Sequence, residues 1–86
     1  MNRYRIEFTN SAAKEFRALA SEIKRRITSA IDELCENPYP MGVSKLKGYA
    51  TLYRIRVGDY RVIYEVDMSN QSIRIVRIRH RREAYR

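Results

Sequence analysis

The stretch YRIRVGDYRVIYEV, residues 53–66, decides the fold of this 86-residue chain. On both sides of Gly58-Asp59 apolar and polar side chains alternate, which is the pattern of two half-buried strands. Glycine at the first of two central positions suits a type II′ turn, so the strands form a hairpin with a two-residue loop. This loop fixes the register of the pair and predicts that Arg56 lies opposite Arg61.

That register gives the hairpin an apolar face and an arginine face. The apolar face carries Tyr53, Ile55, Val57, Tyr60, Val62, Tyr64 and Val66. The other face carries Arg54, Arg56 and Arg61, and strand alternation adds Glu65. Arginines directly across a strand pair repel each other, so the arrangement lowers stability. A solvated surface explains one arginine, but three together favour a polyanion site, because a guanidinium donates paired hydrogen bonds to phosphate.

Two helices are predicted after an N-terminal strand at residues 4–8. The first is short, and its outward side chains are Lys14, Glu15 and Arg17. The second begins near Ser21, a candidate cap, and ends at Asn37 because Pro38 disfavours helix in the residue before it. We expect the following side chains to be largely buried: Phe16, Ile23, Ile27, Ile31, Leu34, Ile55, Val62 and Tyr64.

The sequence after the hairpin predicts one more strand and a polar end. Residues 72–79 alternate except at Ile75-Val76, where the slip indicates a β-bulge. Residues 80–86 are too polar for a core strand and form a tail or a short helix. The predicted fold is α+β in the order β-α-α-β-β-β, a single domain of residues 1–86. Its sheet is mostly antiparallel, with the helical hairpin packed on the apolar face.

Charge and composition narrow the classes of function. The net charge is +8, and residues 46–86 hold ten Lys/Arg and four Asp/Glu, so +6 lies in that half. A basic half with tyrosines among its arginines indicates nucleic acid or an acidic protein as partner. No apolar run approaches the roughly 20 residues of a membrane span, and residues 1–8 do not form a signal peptide. The single Cys35 fits the reducing cytoplasm, and with the lone His80 it is too little for a metal site.

Four segments occur in a distinctive order: KLKG at 45–48, YRIR at 53–56, GDYRVIYEV at 58–66 and HRREAY at 80–85. Together they resemble the RelE/ParE superfamily of toxin–antitoxin toxins, and within it the RelE branch. The resemblance implies an mRNA interferase that cuts translated mRNA in the ribosomal A site. The RNA's own 2′-hydroxyl is the implied nucleophile, and a 2′,3′-cyclic phosphate is the product. It also implies a cognate acidic antitoxin as partner, and neither metal nor cofactor.

The same resemblance assigns roles to individual residues. It implies that Arg61 holds the scissile phosphate, that Arg81 stabilises or protonates the leaving oxygen, and that Tyr85 stacks on a base. Arg56 completes the expected catalytic set, and the expected RNA-binding residues are Arg54, Lys47, Arg82 and His80. From its position on the strand we expect Arg61 to expose its guanidinium.

The general base stays open at this point. RelE proteins often carry lysines where this chain has Arg54 and Arg56, and an arginine hardly loses its proton. Histidine changes charge near neutral pH, which makes His80 a candidate, and Glu65 shares the arginine face. Alternatively, the 2′-hydroxyl needs only orientation and electrostatic stabilisation.

Two other functions are open. A ParE-like toxin of the same fold would inhibit DNA gyrase without being a nuclease, and it would need no phosphate site. The combination of Arg56, Arg61, Arg81 and Tyr85 argues against that reading. The other alternative is a small basic RNA-binding module without chemistry, because basic charge alone binds RNA or DNA unspecifically.

Overall fold

The hairpin of residues 53–66 lies inside a five-stranded sheet in the computed structural model of the chain, which describes residues 3–46, 48 and 51–84. The strands are β1 (Arg5–Phe8), β2 (Ser44–Lys45), β3 (Leu52–Val57), β4 (Tyr60–Asp67) and β5 (Ser72–His80). The helices are α1 (Asn10–Arg17), α2 (Ser21–Glu36) and α3 (Arg81–Ala84).

The sheet order is β1-β5-β4-β3-β2, with β1 parallel to β5 and the other pairs antiparallel. The α+β prediction is confirmed. The structure adds the two-residue edge strand β2, and the polar end begins as helix α3. No helix among the described residues is long and apolar enough to cross a membrane.

The turn between β3 and β4 has the predicted geometry. Gly58 has a φ of +60°, whereas Asp59 is not in the positive-φ region, as a type II′ turn requires. Arg56 therefore lies opposite Arg61, and the predicted register of the hairpin is confirmed. A Cβ on Gly58 would come 3.0 Å from Nη1 of Arg26 on α2, but that flexible side chain can move, so it is the positive φ that favours glycine here.

The predicted bulge is confirmed, and the start of α1 is fastened to it. Strand β5 shifts register against β4 between Ile75 and Arg77, which leaves Val76 as the extra residue. Thr9 caps α1 by accepting a hydrogen bond from the backbone N–H of Ala12 at 3.1 Å, and its hydroxyl donates to the carbonyl of Val76 at 3.0 Å. One side chain thus joins the helix to the bulge.

Helix α2 differs from the prediction at its start. Its N-cap is Ala20, without a side-chain hydrogen bond, and Ser21 is already the first helical residue, so the capping role predicted for Ser21 is wrong. A serine one position inside the helix does not occupy the capping geometry. The predicted end at Asn37 is confirmed, since Asn37 is the C-cap and Pro38 follows it.

The core lies between the two long helices and one face of the sheet. Six of the eight residues expected to be buried are buried: Ile27, Ile31, Leu34, Ile55, Val62 and Tyr64. Ile23 and Phe16 are only half-buried, because they pack at the edge of this core. Phe16 contacts Phe8 on the edge strand β1 instead, with ring centroids 5.8 Å apart in an edge-to-face arrangement.

Tyr64 is the largest fully buried side chain of the core, and its hydroxyl needs a partner there. It donates a 2.6 Å hydrogen bond to the carbonyl of Pro38, at the point where the chain leaves α2. Burial, and then the neighbouring Tyr39 and Tyr53, raise the pKa of the Tyr64 phenol. This bond fixes the loop after α2 to the central strand β4.

Replacing Tyr64 with Phe should destabilise the protein by about 1–3 kcal/mol, because the Pro38 carbonyl would be left buried without its donor. Urea unfolding followed by circular dichroism measures this. The raised pKa means that the folded state holds the phenol proton more tightly than the unfolded state does. The stability contributed by this group is therefore fully present below the ordinary pKa of 10.0 and is lost as the pH rises above it. Tyr64→Phe should not show this loss of stability at high pH. If Tyr64→Phe and the wild type were equally stable at neutral pH, the stabilising role of the hydroxyl would be contradicted.

Candidate active site

A cavity of about 320 Å³ opens where the β3–β4 turn meets the start of α3. Its lining residues are Arg56, Gly58, Asp59, Tyr60, Arg61, Arg81 and Arg82. Four of the residues singled out from the sequence are therefore brought together, although Arg56 and Arg82 are 26 positions apart in the chain. Arginine side chains supply the positive charge and the paired hydrogen-bond donors that a phosphate group requires, and four arginines line this one concave surface.

Strand pairing explains why the β3–β4 turn lies next to the start of α3. Because β5 runs antiparallel to β4, its last residue His80 lies opposite Tyr60, beside the hairpin turn. Helix α3 begins at the next residue, and the backbone N–H of Arg81 donates a 2.7 Å hydrogen bond to the carbonyl of Asp59. The Arg81 side chain also lies 4.0 Å, from Nε to Oδ1, from the Asp59 carboxylate.

A second cavity of about 420 Å³ shares part of this lining. Arg56 and Arg61 border both cavities, and Arg54 borders the second. The remaining wall is formed by Ala30 and Glu33 of α2, by residues 40–42, by Ser44 of β2 and by Ile55 of β3. The arginine face of the hairpin therefore borders two adjacent concave surfaces, which suits a ligand with more than one phosphate.

Arg61 differs from the prediction in its exposure. The expectation that its guanidinium is exposed is wrong, because only 4% of the residue is accessible to solvent. It lies on the central strand β4, with Arg56 opposite it on β3 and Arg79 opposite it on β5. Arg61 is therefore desolvated, whereas the Arg81 side chain is 66% exposed. A desolvated charge acts more strongly on a bound anion than an exposed one.

Glu15 also differs from the prediction, since it does not point outward from α1. Its Oε2 lies 3.0 Å from Nη1 of Arg77 and 3.3 Å from Nε of Arg79. Its Oε1 accepts a 2.8 Å hydrogen bond from the backbone N–H of Ile78. The sequence offered no local signal for this contact, because Glu15 and Ile78 are 63 positions apart.

The structure does not bring every predicted residue to the cavity. His80 lies beside Tyr60, with ring centroids 5.2 Å apart, and its Nδ1 accepts a 3.3 Å hydrogen bond from the backbone N–H of Arg82. Glu65 accepts a 3.1 Å hydrogen bond from the hydroxyl of Thr51. Neither His80 nor Glu65 borders the two cavities. Lys47 and Tyr85 lie outside the described residues.

Asp59 is a lining residue that the sequence predicted only as part of a turn. The signal was present, since the turn residue is next to the first residue of the strand that carries Arg61. Among the described residues, no group of three or more His, Cys, Asp or Glu side chains is placed to hold a metal ion. Cys35 is buried in the core, where it packs as a small apolar side chain.

Comparison with known proteins adds independent information. Residues 6–85 match the family described as the ParE toxin of the type II toxin–antitoxin system parDE. Toxin RelE3 of Methanocaldococcus jannaschii is 33% identical, over 94% of both chains. The mRNA interferase toxin RelE of Escherichia coli K12 is 28% identical, over 95% of this chain and 90% of that one.

A solved structure agrees with these sequence matches. It is the archaeal RelE–RelB complex from Pyrococcus horikoshii OT3, which is 35% identical to this chain with a TM-score of 0.81. The match covers 94% of this chain and 97% of the other. The agreement extends over nearly the whole chain, including the sheet that carries the arginines.

If the cavity is a phosphate site, pyrophosphate should stabilise the protein more than sodium chloride of equal ionic strength. At ten times its dissociation constant the gain is about 1.4 kcal/mol, or roughly 6–11 °C in the melting temperature of a domain of this size. Arg56→Ala should lose most of the shift. The control Arg25→Ala removes one charge from an exposed position on α2 and should keep it. Equal shifts for both variants would show that anions bind without using this cavity.

Proposed function

We propose a function on the basis of the family, because the chain belongs to the ParE toxin family of type II toxin–antitoxin systems, within the RelE/ParE superfamily. We infer that it acts as an endoribonuclease, an mRNA interferase that cleaves mRNA in the ribosomal A site. The observation that carries this proposal is the cavity bordered by Arg56, Arg61, Arg81 and Arg82. A toxin that acts by protein contact alone has no need of a phosphate site.

The proposed reaction is a transfer within the RNA. The 2′-hydroxyl attacks the adjacent phosphorus, a new bond from O2′ to phosphorus forms, and the bond from phosphorus to O5′ breaks. The products are a 2′,3′-cyclic phosphate and a 5′-hydroxyl. Negative charge builds up on the phosphate oxygens in the transition state, and fixed cations stabilise it there.

The geometry supports separate roles for the arginines. Arg61 is held on the central strand and is desolvated, so its charge is available without reorganisation when the phosphate becomes more negative. Arg56 lies opposite it and shares the same phosphate. Arg81 is exposed at the start of α3, and we assign it to the leaving oxygen.

The proton acceptor for the 2′-hydroxyl is not one of these arginines, since a guanidinium hardly loses its proton. Among the described residues, Asp59 is the carboxylate that lines the first cavity, and Glu33 lines the second. Asp59 lies next to Arg81, at 4.0 Å, and is therefore the first residue to replace in a search for the acceptor. We propose that the reaction needs neither metal nor cofactor.

The partners follow from the same proposal. The Pyrococcus relative is described in complex with RelB, and this chain carries a net charge of +8. We propose a cognate acidic antitoxin that covers the basic surface and ribosomes with A-site mRNA as the target. The place of action is then the cytoplasm.

A second candidate function rests on the matching family's own description as the ParE toxin of parDE. In that case the chain inhibits DNA gyrase and does not cut RNA. The arginine cavity favours the nuclease.

Replacing Arg61 with Ala should leave binding to the ribosome intact and slow cleavage of A-site mRNA by roughly 10²–10³, the cost of losing one preorganised donor, or about 2.7–4 kcal/mol. Arg61→Lys should recover only part of the rate, because an ammonium keeps the charge and loses the planar fork. Single-turnover cleavage on programmed ribosomes measures the rate, and circular dichroism checks the fold. Arg25→Ala is the matched control and should cut at the wild-type rate. A folded Arg61→Ala protein that does the same would remove Arg61 from the site.

The two candidate functions separate in a supercoiling assay. At concentrations that stop translation, the protein should leave DNA gyrase fully active. Mapping the 5′ ends of mRNA after induction should show new ends within translated regions. Inhibited supercoiling together with intact mRNA would assign the protein to the gyrase inhibitors.

A further inference from the structure

We propose that Glu15 is a positioning residue for Arg61. By pairing with Arg79, Glu15 reduces the repulsion between Arg79 and Arg61 and thereby keeps the Arg61 guanidinium at the cavity. The proposal rests on the proposed function for its effect on cleavage, but its effect on Arg61 is independent of any reaction. Glu15 itself borders neither cavity.

Glu15 makes three contacts with consecutive residues of one strand. Its two carboxylate oxygens meet the guanidinium groups of Arg77 and Arg79 and the backbone N–H of Ile78, at 2.8 to 3.3 Å. Its side chain is 23% exposed, so these contacts are partly shielded from water. Interactions of charged groups in such surroundings are stronger than at an open surface.

These contacts replace a missing sheet neighbour. Strand β1 pairs with β5 only from Ser72 to Ile75, so the rest of the outer edge of β5 lies beyond β1. There the backbone N–H of Thr9 donates to the carbonyl of Ile75, and the Thr9 hydroxyl donates to the carbonyl of Val76. Glu15 accepts a hydrogen bond from the backbone N–H of Ile78. The end of β5, which leads to α3 and Arg81, is therefore held by side chains and backbone at the start of α1.

The charges explain why this residue is acidic. Arg56, Arg61 and Arg79 occupy directly opposite positions on β3, β4 and β5 and form a row of three cations. Directly opposite positions have Cβ atoms about 4.5–5.5 Å apart, where like charges repel. The Glu15 carboxylate, which Arg79 shares with Arg77, offsets charge at the Arg79 end of the row, and Arg79 does not border the first cavity. The other end, at Arg56, is the end that borders it.

Replacing Glu15 with Gln tests the charge while it keeps the size. The amide oxygen still accepts from the N–H of Ile78, but Arg79 loses the Glu15 carboxylate, so its repulsion of Arg61 is less balanced. RNA affinity should not fall, because the net charge rises from +8 to +9. The single-turnover cleavage rate should fall by about tenfold or more, since small displacements of a catalytic group are costly. A purely structural residue would not separate binding from cleavage in this way.

The matched control and the rescue make the test specific. Glu22→Gln makes the same change of charge at an exposed position on α2 and should keep the wild-type rate. Arg79→Gln should also cut at about the wild-type rate, because it removes the repelling charge. Combined with Glu15→Gln in a double variant, Arg79→Gln should restore the cleavage rate that Glu15→Gln loses. If the double variant is as slow as Glu15→Gln, or if Glu15→Gln cuts as fast as Glu22→Gln, the proposal is wrong.

A second measurement needs no ribosome. The side-chain Nε–H resonance of Arg61 in a ¹⁵N NMR spectrum should shift in Glu15→Gln and return in the double variant, and it should be unchanged in Glu22→Gln. If the wild-type protein cuts no RNA but these shifts occur, the nuclease proposal fails and the positioning role of Glu15 stands. An unchanged Arg61 resonance in folded Glu15→Gln would overturn the positioning role. If Glu15→Gln does not fold, failure of Arg79→Gln to restore folding would overturn it too.

Discussion

The repulsion between arginines at opposite positions on adjacent strands is the constraint on which this structure depends. Arg56, Arg61 and Arg79 lie in one row because the two-residue turn at Gly58-Asp59 fixes the register of β3 against β4, and β4 then fixes β5. A one-residue slip of any of these strands would turn its arginine from the row to the apolar face. The large apolar core on the other face therefore holds the cations together.

The rest of the fold offsets the positive charge of this row of arginines and also places that charge at the cavity. On one side, α1 brings Glu15 to Arg77 and Arg79. On the other, the carbonyl of Asp59 holds the start of α3, so that Arg81 joins the row at the turn. Asp59 and Arg81 line the cavity, whereas Glu15 lies outside it. A phosphate in the cavity meets cations that the fold has already placed, so little reorganisation remains at the moment of reaction.

The sequence predicts the parts of this arrangement that depend on local patterns. Alternation and the glycine turn gave the register of the hairpin, and the slip at Ile75-Val76 gave the bulge. The burial of Arg61 was not predictable, because alternation tells which face a residue is on but not what covers it. The Glu15 contacts depend on how α1 crosses the edge of the sheet, and side-chain periodicity within one helix carries no such information. The two-residue strand β2 is too short to leave a pattern.

The central claim is that Arg61 is kept at a cost to the free protein, for the sake of an anion that binds later. Urea unfolding of Arg61→Met tests it most directly, because methionine fills a similar volume without a charge, and the measurement involves no RNA. We expect Arg61→Met to be more stable than the wild type by about 1 kcal/mol or more, because removing the cross-strand repulsion and the desolvation of the guanidinium outweighs the loss of the interactions that Arg61 makes in the fold. A variant less stable than the wild type would show that Arg61 stabilises the fold, and it would contradict the account.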